Sequence, residues 1–290
     1  MKLLILGANG LLGNTISKYF FEREEFKTFA TLRDYSKIKL FNKKYHHKFL
    51  IIENILDFDQ IKGTLNRVRP DILINCLGVS NKEILNNFNQ AEKFITINSL
   101  LPHKLYEICN NYKIRLIHLS SDCVFSGKKG SYSENNLPDP KCLYGRSKLL
   151  GEVNYKNSIT IRKSVIGHEI DSKNGLLEWF LSQKDEVQGY KDAIFSGMTV
   201  LELATLIEKY IIPNEQLGGV LHVSGESITK YDLLKIISSI YNKSIHIRLN
   251  KSIKVDRSLN STKFNQLTGY KIKPWPILIR SMYEFNQLSK

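Results

Sequence analysis

Tyr144 and Lys148 stand four residues apart in Tyr144-Gly145-Arg146-Ser147-Lys148, so a helix carries both on one face. A phenol beside an ammonium is a pair suited to moving one proton. With an ordinary pKa near ~10 the phenol is a poor acid or base at neutral pH, and a neighbouring cation favours its phenolate. The spacing alone is common, since Tyr35/Lys39 and Tyr231/Lys235 share it. What distinguishes the Tyr144 pair is Ser120-Ser121-Asp122, upstream across a long loop and at the end of an apolar strand. Active sites of open α/β sheets lie at such strand ends. Ser121 to hold a carbonyl oxygen, Tyr144 to donate the proton and Lys148 to supply charge form a set for carbonyl reduction by a hydride donor. Lys148 can also bond the ribose of that donor.

A second constellation fits a dinucleotide. Gly7-Ala8-Asn9-Gly10-Leu11-Leu12-Gly13 directly follows one apolar strand and opens a helix. Gly7 permits the sharp turn, Gly10 lets backbone approach a pyrophosphate, and Gly13 allows helix and strand to pack closely. The helix N-terminus offers free N–H groups and partial positive charge to the phosphates. Asn9, Leu11 and Leu12 belong to the same cradle. After the second strand, where a carboxylate would accept from a ribose 2′-OH, stands Arg33, followed by Asp34. An Arg there pairs a 2′-phosphate bidentately, so the expected cofactor is NADPH, with NADH as the alternative.

The elements that must position these residues are legible in outline. Strands are expected at Lys2–Leu6, Lys27–Leu32, Lys48–Ile52, Asp71–Cys76, Ile114–Leu119 and Ile159–Arg162. Helices are expected at Leu11–Glu22, Ala91–Asn111 (interrupted by Pro102) and Tyr144–Tyr155, with Pro70 stopping the helix before the fourth strand. Continuous apolar strands alternating with amphipathic helices predict a doubly wound parallel α/β sheet covered on both faces. Ser120–Leu143 is a long glycine- and proline-bearing loop, and loops of that length are usually functional. Beyond about Gly167 the pattern loosens into helices near Leu176–Gln183, Val200–Tyr210, Tyr231–Tyr241 and Ser261–Leu267. Residues 1–167 therefore read as the dinucleotide-binding domain and 168–290 as a smaller C-terminal α/β substrate-binding part, with Val220–Val223 returning to the main sheet.

Composition narrows the function classes. The 290 residues carry a net charge of +14, but Lys is spread along the chain. Even the densest cluster, Lys37 to Lys48, has no interleaved recognition motif, so no nucleic-acid partner is expected. No apolar run approaches the roughly 20 residues of a membrane span. The apolar start runs into glycines rather than a cleavage site, so a cytoplasmic protein is expected. Cys76, Cys109, Cys123 and Cys142 form no C-x-x-C pair and read as free thiols. His46 and His47 are adjacent and the other five histidines are scattered, so no metal site is expected.

The glycine triplet, Asn75-Cys76-Leu77-Gly78, Asn98-Ser99-Leu100-Leu101-Pro102, Ser120-Ser121-Asp122-Cys123-Val124-Phe125-Ser126-Gly127 and Tyr144-Gly145-Arg146-Ser147-Lys148-Leu149-Leu150-Gly151-Glu152 resemble the extended short-chain dehydrogenase/reductases. Within them the chain is most similar to the nucleotide-sugar reductases of the dTDP-4-dehydrorhamnose reductase kind. The resemblance spans nearly the whole chain and is strongest through about residue 167. It implies a Rossmann-type fold, NAD(P)H, a catalytic centre of Ser121, Tyr144 and Lys148, and Asn98 assisting it. It adds Leu77 and Gly78 to the cofactor contacts. Ser121, Asp122, Cys123, Val124 and Phe125 fall on the substrate side, and a homodimer is a family-level expectation. The implied reaction is reduction of the 4-keto group of a nucleotide-linked 4-keto-6-deoxy sugar, in the synthesis of surface polysaccharide precursors.

Departures from the family pattern sharpen that expectation. Related 4,6-dehydratases follow their Asp with a Glu for water elimination, whereas Cys123 follows Asp122 here, a poor replacement for a carboxylate. Asn54 stands where an acidic residue often meets the adenine, and Ser121 replaces the commoner Thr. In Asp256-Arg257-Ser258-Leu259-Asn260-Ser261, Arg257 matches an arginine that reaches the sugar nucleotide, with Ser258 in place of Pro. Trp179 and Phe195 are candidates to face the sugar or base. Thr229-Lys230-Tyr231-Asp232 resembles a capping box. Two other readings remain: an epimerase of the same family that holds NAD tightly, and a non-catalytic NADP-binding regulatory subunit like that of methionine adenosyltransferase. Retention of Ser121, Tyr144 and Lys148 favours an enzyme.

Overall fold

The computed structural model describes residues 1–80, 88–170 and 172–288. The strands β1 (Lys2–Leu6), β2 (Lys27–Leu32), β3 (Phe49–Ile51), β4 (Ile72–Asn75), β5 (Arg115–Leu119) and β6 (Ser158–Arg162) form where apolar runs are expected. A seventh strand, Gly219–His222, pairs with β6. The order across the sheet is seventh-β6-β5-β4-β1-β2-β3, and every pair is parallel. Connectivity runs outward in both directions from β1 and β4, so the crevice for a ligand opens between their carboxyl ends.

Period-two alternation splits β1 between two cores. Leu3 and Ile5 pack with Ile16 and Phe20 of the helix α1 (Leu11–Phe21) and with Leu203 and Leu206 of the helix Val200–Leu206. Leu4 and Leu6 pack on the other face with Ile61 and Leu65 of α2 (Phe58–Val68). Each fully buried Leu or Ile stabilises by roughly 1.5–3 kcal/mol, and burial on both faces explains why these strands read as unbroken apolar runs.

Two helices depart from expectation. Pro102 does not interrupt its helix: α3 (Phe88–Lys93), a wider i→i+5 stretch at Phe94–Leu100, and α4 (Leu101–Asn111) follow without a break. The Leu101 N–H reaches back five residues to the Thr96 carbonyl, and Pro102 sits in the first turn of α4, where its missing N–H costs least. The Asn98 carbonyl, which a residue with an N–H at 102 would engage, instead lies against Gly151, where a Cβ would approach to 1.8 Å. That contact ends α5 (Leu143–Leu150) five residues before the expected Tyr155. The side chain that follows, Glu152, turns back to the sheet, accepting from Ser120 Oγ (2.7 Å) and from Arg162 (2.8 and 2.7 Å).

The helix Trp275–Leu288 was absent from the expected elements. Its buried Trp275, Leu278, Ile279 and Met282 keep the i, i+3, i+4, i+7 spacing that identifies an amphipathic helix. No helix among the described residues is long and apolar enough to cross a membrane.

Candidate active site

The glycine cradle lies at the carboxyl end of β1. Gly7 has φ +83°, and a Cβ there would stand 2.7 Å from Leu77 Cδ2. A Cβ on Gly13 would stand 2.1 Å from the Gly7 carbonyl oxygen, so neither position accepts a side chain without moving backbone or β4's end. The turn is tied to β2 by Gly7 N donating to Thr31 Oγ1 (3.1 Å) and Ala8 N donating to the Thr31 carbonyl (2.9 Å). Gly10 caps α1 with extended backbone, no side-chain cap and no acidic residue in the first turn. Gly10 is exposed, and Asn9, Leu11 and Leu12 are half-buried around it. This end of α1 therefore presents unpaired N–H groups and positive potential, a fit for a pyrophosphate.

Arg33, just beyond β2, is exposed. The neighbouring Asp34 is not free to face a ribose. Its carboxylate accepts from Ser36 N (2.8 Å) and Ser36 Oγ (2.7 Å), bonds that hold its pKa below the usual carboxylate range. Asn54 likewise turns inward on its own loop, accepting from Leu56 N at 3.0 Å. At the end of β4, Asn75 Oδ1 accepts from Leu77 N (3.1 Å), and Gly78 lies beside Asn98.

The three candidate catalytic side chains converge over the ends of β5 and β6. Ser121 is 5% exposed and caps the short turn Asp122–Val124 by accepting from Cys123 N (3.1 Å), while donating to Asp122 Oδ1 (3.1 Å). Tyr144 enters from the first turn of α5, seated because Gly145 packs on Cys123, where a Cβ would lie 2.1 Å from the Cys123 carbonyl oxygen. Burial pushes the Tyr144 phenol above its ordinary range, reinforced by Cys123 and Asp122 and opposed by its hydrogen bond with Ser121. This corrects the expectation of a phenolate favoured by Lys148: desolvation of the phenol dominates. Lys148 Nζ donates to the Leu119 carbonyl at 2.7 Å. Its own pKa falls to about 7, through burial first and repulsion from Lys163 second.

Asn98 is fully buried, and its amide is spent on the scaffold. Val79 N donates to its Oδ1 (2.9 Å), and its Nδ2 donates to the Val79 carbonyl (2.9 Å) and Ser147 Oγ (3.1 Å). It thus joins the end of β4 to α5 as a positioning residue.

The family described as RmlD substrate binding domain matches residues 1–282. The chain belongs to this RmlD family. Among curated relatives, the dTDP-4-dehydrorhamnose reductase of Aggregatibacter actinomycetemcomitans is 26% identical over 246 residues, covering 80% of this chain and 76% of the relative. Methionine adenosyltransferase 2 subunit beta of Danio rerio is 24% identical over 255 residues, covering 83% and 74%. A solved dTDP-4-dehydrorhamnose reductase of Bacillus anthracis in complex with NADP superposes with a TM-score of 0.77 over 98% of both chains at 22% identity, a likeness of fold.

Within this RmlD-family chain the substrate side is built differently from the sequence expectation. Val124 and Phe125 are fully buried, Phe125 stacking on Tyr132 with ring centroids 4.2 Å apart. Their side chains are core, and the Phe125 carbonyl accepts from Arg257 Nε at 3.1 Å. Phe195 is 6% exposed, against Trp275 and beneath Lys230, because its strand lies between two others in a small sheet. Trp179 is half-exposed on the helix Leu176–Ser182. Asp122 and Cys123 are partly exposed beside Ser121, and burial pushes the Cys123 thiol up to about 12. A thiol that holds its proton so firmly is a poor base.

Sequence reasoning missed the clasp that holds Arg257. Tyr132 N donates to the Ser258 carbonyl (2.8 Å), Asn260 N to the Tyr132 carbonyl (2.7 Å) and Asp256 N to the Gly127 carbonyl (2.8 Å). Ser258 Oγ accepts from Ser131 N at 2.8 Å, a contact the family's Pro cannot make. Gly130, at φ +73°, lies so close to Asp256 that a Cβ would stand 2.2 Å from Oδ2. Gly130→Ala is therefore expected to displace the Asp256 carboxylate, loosen the clasp and lower the thermal midpoint by a few degrees. Thermal unfolding checks it, and an unchanged midpoint would contradict so close an approach.

Proposed function

We propose that this protein reduces the 4-keto group of a nucleotide-linked 4-keto-6-deoxy sugar with NADPH. The observation carrying this reading is the meeting of Ser121, Tyr144 and Lys148 at the strand ends, with Cys123 rather than a carboxylate beside Asp122. Bound at the cradle, reduced nicotinamide supplies the hydride. The chain does the rest. Ser121 donates a hydrogen bond to the carbonyl oxygen, and Tyr144 transfers its proton there as negative charge develops. A phenol kept protonated by burial is the state a reduction needs at its start. Lys148 holds the ribose, and Arg257 holds the diphosphate. Residues 1–167 bind cofactor and 168–290 shape the substrate site, in a cytoplasmic homodimer.

The regulatory-subunit reading is favoured by one observation, the similarity to methionine adenosyltransferase 2 subunit beta. Retention of the complete catalytic trio supports the enzyme. The deciding experiment follows loss of NADPH absorbance with a panel of dTDP- and UDP-4-keto-6-deoxy sugars. Turnover with any of them establishes the reductase; tight NADPH binding without turnover favours the subunit.

The pH profile tests the role of Lys148. Its folded pKa of about 7 means the ammonium is present below that pH and lost as pH rises through it. kcat/KM for NADPH, which reports groups of the free enzyme, is expected to fall above about pH 7. A flat profile to pH 9 would remove Lys148 from cofactor capture.

A further inference from the structure

His222 ends the seventh strand, Gly219–His222, and has no part in the mechanism above, although it is fully buried against the segment that holds Arg257. Both of its ring nitrogens are engaged. Nε2 lies 3.2 Å from Arg162 Nη1, and Nδ1 lies 2.9 Å from the Tyr132 carbonyl oxygen. A guanidinium only donates, so Nε2 accepts and carries no proton. A carbonyl only accepts, so the proton sits on Nδ1. The two contacts fix His222 as the neutral Nδ1–H tautomer. Burial first, together with the Arg162 charge, holds its pKa below the ordinary histidine value against the opposing pull of Glu134.

The two partners of the ring belong to different parts of the molecule. Arg162 is fixed by Glu152, which accepts from its Nε and Nη2 (2.8 and 2.7 Å), and its guanidinium lies 5.2 Å from the Phe125 ring centroid. Tyr132 is the hub of the clasp. Its backbone bonds Ser258 and Asn260, just beyond Arg257. Its hydroxyl accepts from Gly127 N (3.2 Å) and Lys129 N (3.1 Å), and the Gly127 carbonyl accepts from Asp256 N, just before Arg257. Its ring stacks on Phe125, whose carbonyl accepts from Arg257 itself. The Nδ1–H bond therefore ties the hub of the clasp to a buried ion pair.

We propose that His222 is a positioning residue for substrate affinity: by holding the Tyr132 carbonyl it sets where Arg257 stands, and through Arg257 how tightly the diphosphate of the nucleotide is held. This rests on the reading of Arg257 as the diphosphate ligand. A tie made far from the reacting carbon acts alike on ground state and transition state, so affinity changes and kcat does not. One hydrogen bond is worth about tenfold in an affinity.

The test is calorimetric titration with dTDP and with UDP, which carry the diphosphate without the sugar, beside titration with NADPH. Wild type is compared with His222→Gln and His222→Asn. A Gln amide reaches the Nε2 position, keeps the acceptor for Arg162 and leaves the Tyr132 carbonyl without its histidine donor. An Asn amide donates from near the Nδ1 position. His222→Gln is expected to weaken the nucleotide about tenfold and His222→Asn less than about threefold, with NADPH unchanged in both. A packing role would reverse that order, because Asn leaves the larger gap, and a matching loss of NADPH affinity would mean general loosening; either result overturns the proposal. Arg257→Met should itself weaken the nucleotide, and adding His222→Gln to it should weaken it no further, because the histidine acts through the arginine. A full additional tenfold loss in the double variant would also overturn the proposal. If His222→Gln fails to fold, His222→Asn still decides: wild-type affinity supports the donor role and a tenfold loss contradicts it. Binding of neither nucleotide by wild type, or an Arg257→Met variant with unchanged affinity, would instead defeat the reading of Arg257 itself.

Discussion

Tyr144→Phe is expected to lower kcat by about a thousandfold while leaving NADPH affinity within a factor of a few. The magnitude follows from the ordinary contribution of a positioned general acid, about 10²–10⁴. It should not fall at the low end of that range because no substitute acid is well placed. The Ser121 hydroxyl, a far weaker acid than a phenol, can bond the carbonyl oxygen but not protonate it, and the Cys123 thiol holds its proton up to about 12. Lys148 is engaged by the Leu119 carbonyl and is proposed to hold the ribose. Among the described residues α5 is fixed by Gly145 on Cys123 and Asn98 on Ser147, while the Tyr144 phenol bonds Ser121. The variant should therefore fold and bind cofactor. Stopped-flow reduction beside a fluorescence titration separates the two quantities. A variant that keeps a tenth of wild-type turnover would transfer the proton-donor role to another group.

Arg33→Asp should lower the preference for NADPH over NADH by about a hundredfold. A bidentate guanidinium–phosphate pair is among the strong charge-assisted hydrogen bonds, and its replacement sets a carboxylate against the 2′-phosphate. The same carboxylate suits a free ribose 2′-OH, so NADH should gain as NADPH loses. Asp34 does not blur the experiment, since both its oxygens are engaged by Ser36. The ratio of kcat/KM for the two cofactors is the measurement. An unchanged ratio would show that another group reads the 2′ position.

What was legible in advance was whatever depends on neighbours in sequence. The turn Gly7–Gly13 requires a strand before it and a helix after it, and both are local patterns. The six apolar runs predicted β1–β6 because a parallel sheet buried on both faces leaves no polar alternation to obscure them. Tyr144 and Lys148 were visible as a helical pair, and Ser121 as a hydroxyl at a strand end. The Trp275–Leu288 helix was recoverable too, from its own buried spacing.

What remained hidden depends on contacts between segments distant in sequence. Nothing in Pro102 says that it begins a helical turn rather than breaking one; the Gly151 contact with the Asn98 carbonyl, about fifty residues away, belongs to the tertiary structure. Val124 and Phe125 look like part of a substrate loop until Tyr132 is found stacked on Phe125 and Arg257 bonded to its carbonyl. Ser258 looks like a lost proline until Ser131 is found donating to it. The amino-acid sequence by itself determined the sheet, the glycine turn after β1 and the candidate reacting groups, because periodicity and short-range sterics encode them. Only the tertiary structure decided how strongly Tyr144 and Lys148 are desolvated and which aromatics are core. Desolvation and Coulomb fields depend on how closely distant segments are packed, and no local pattern carries that information.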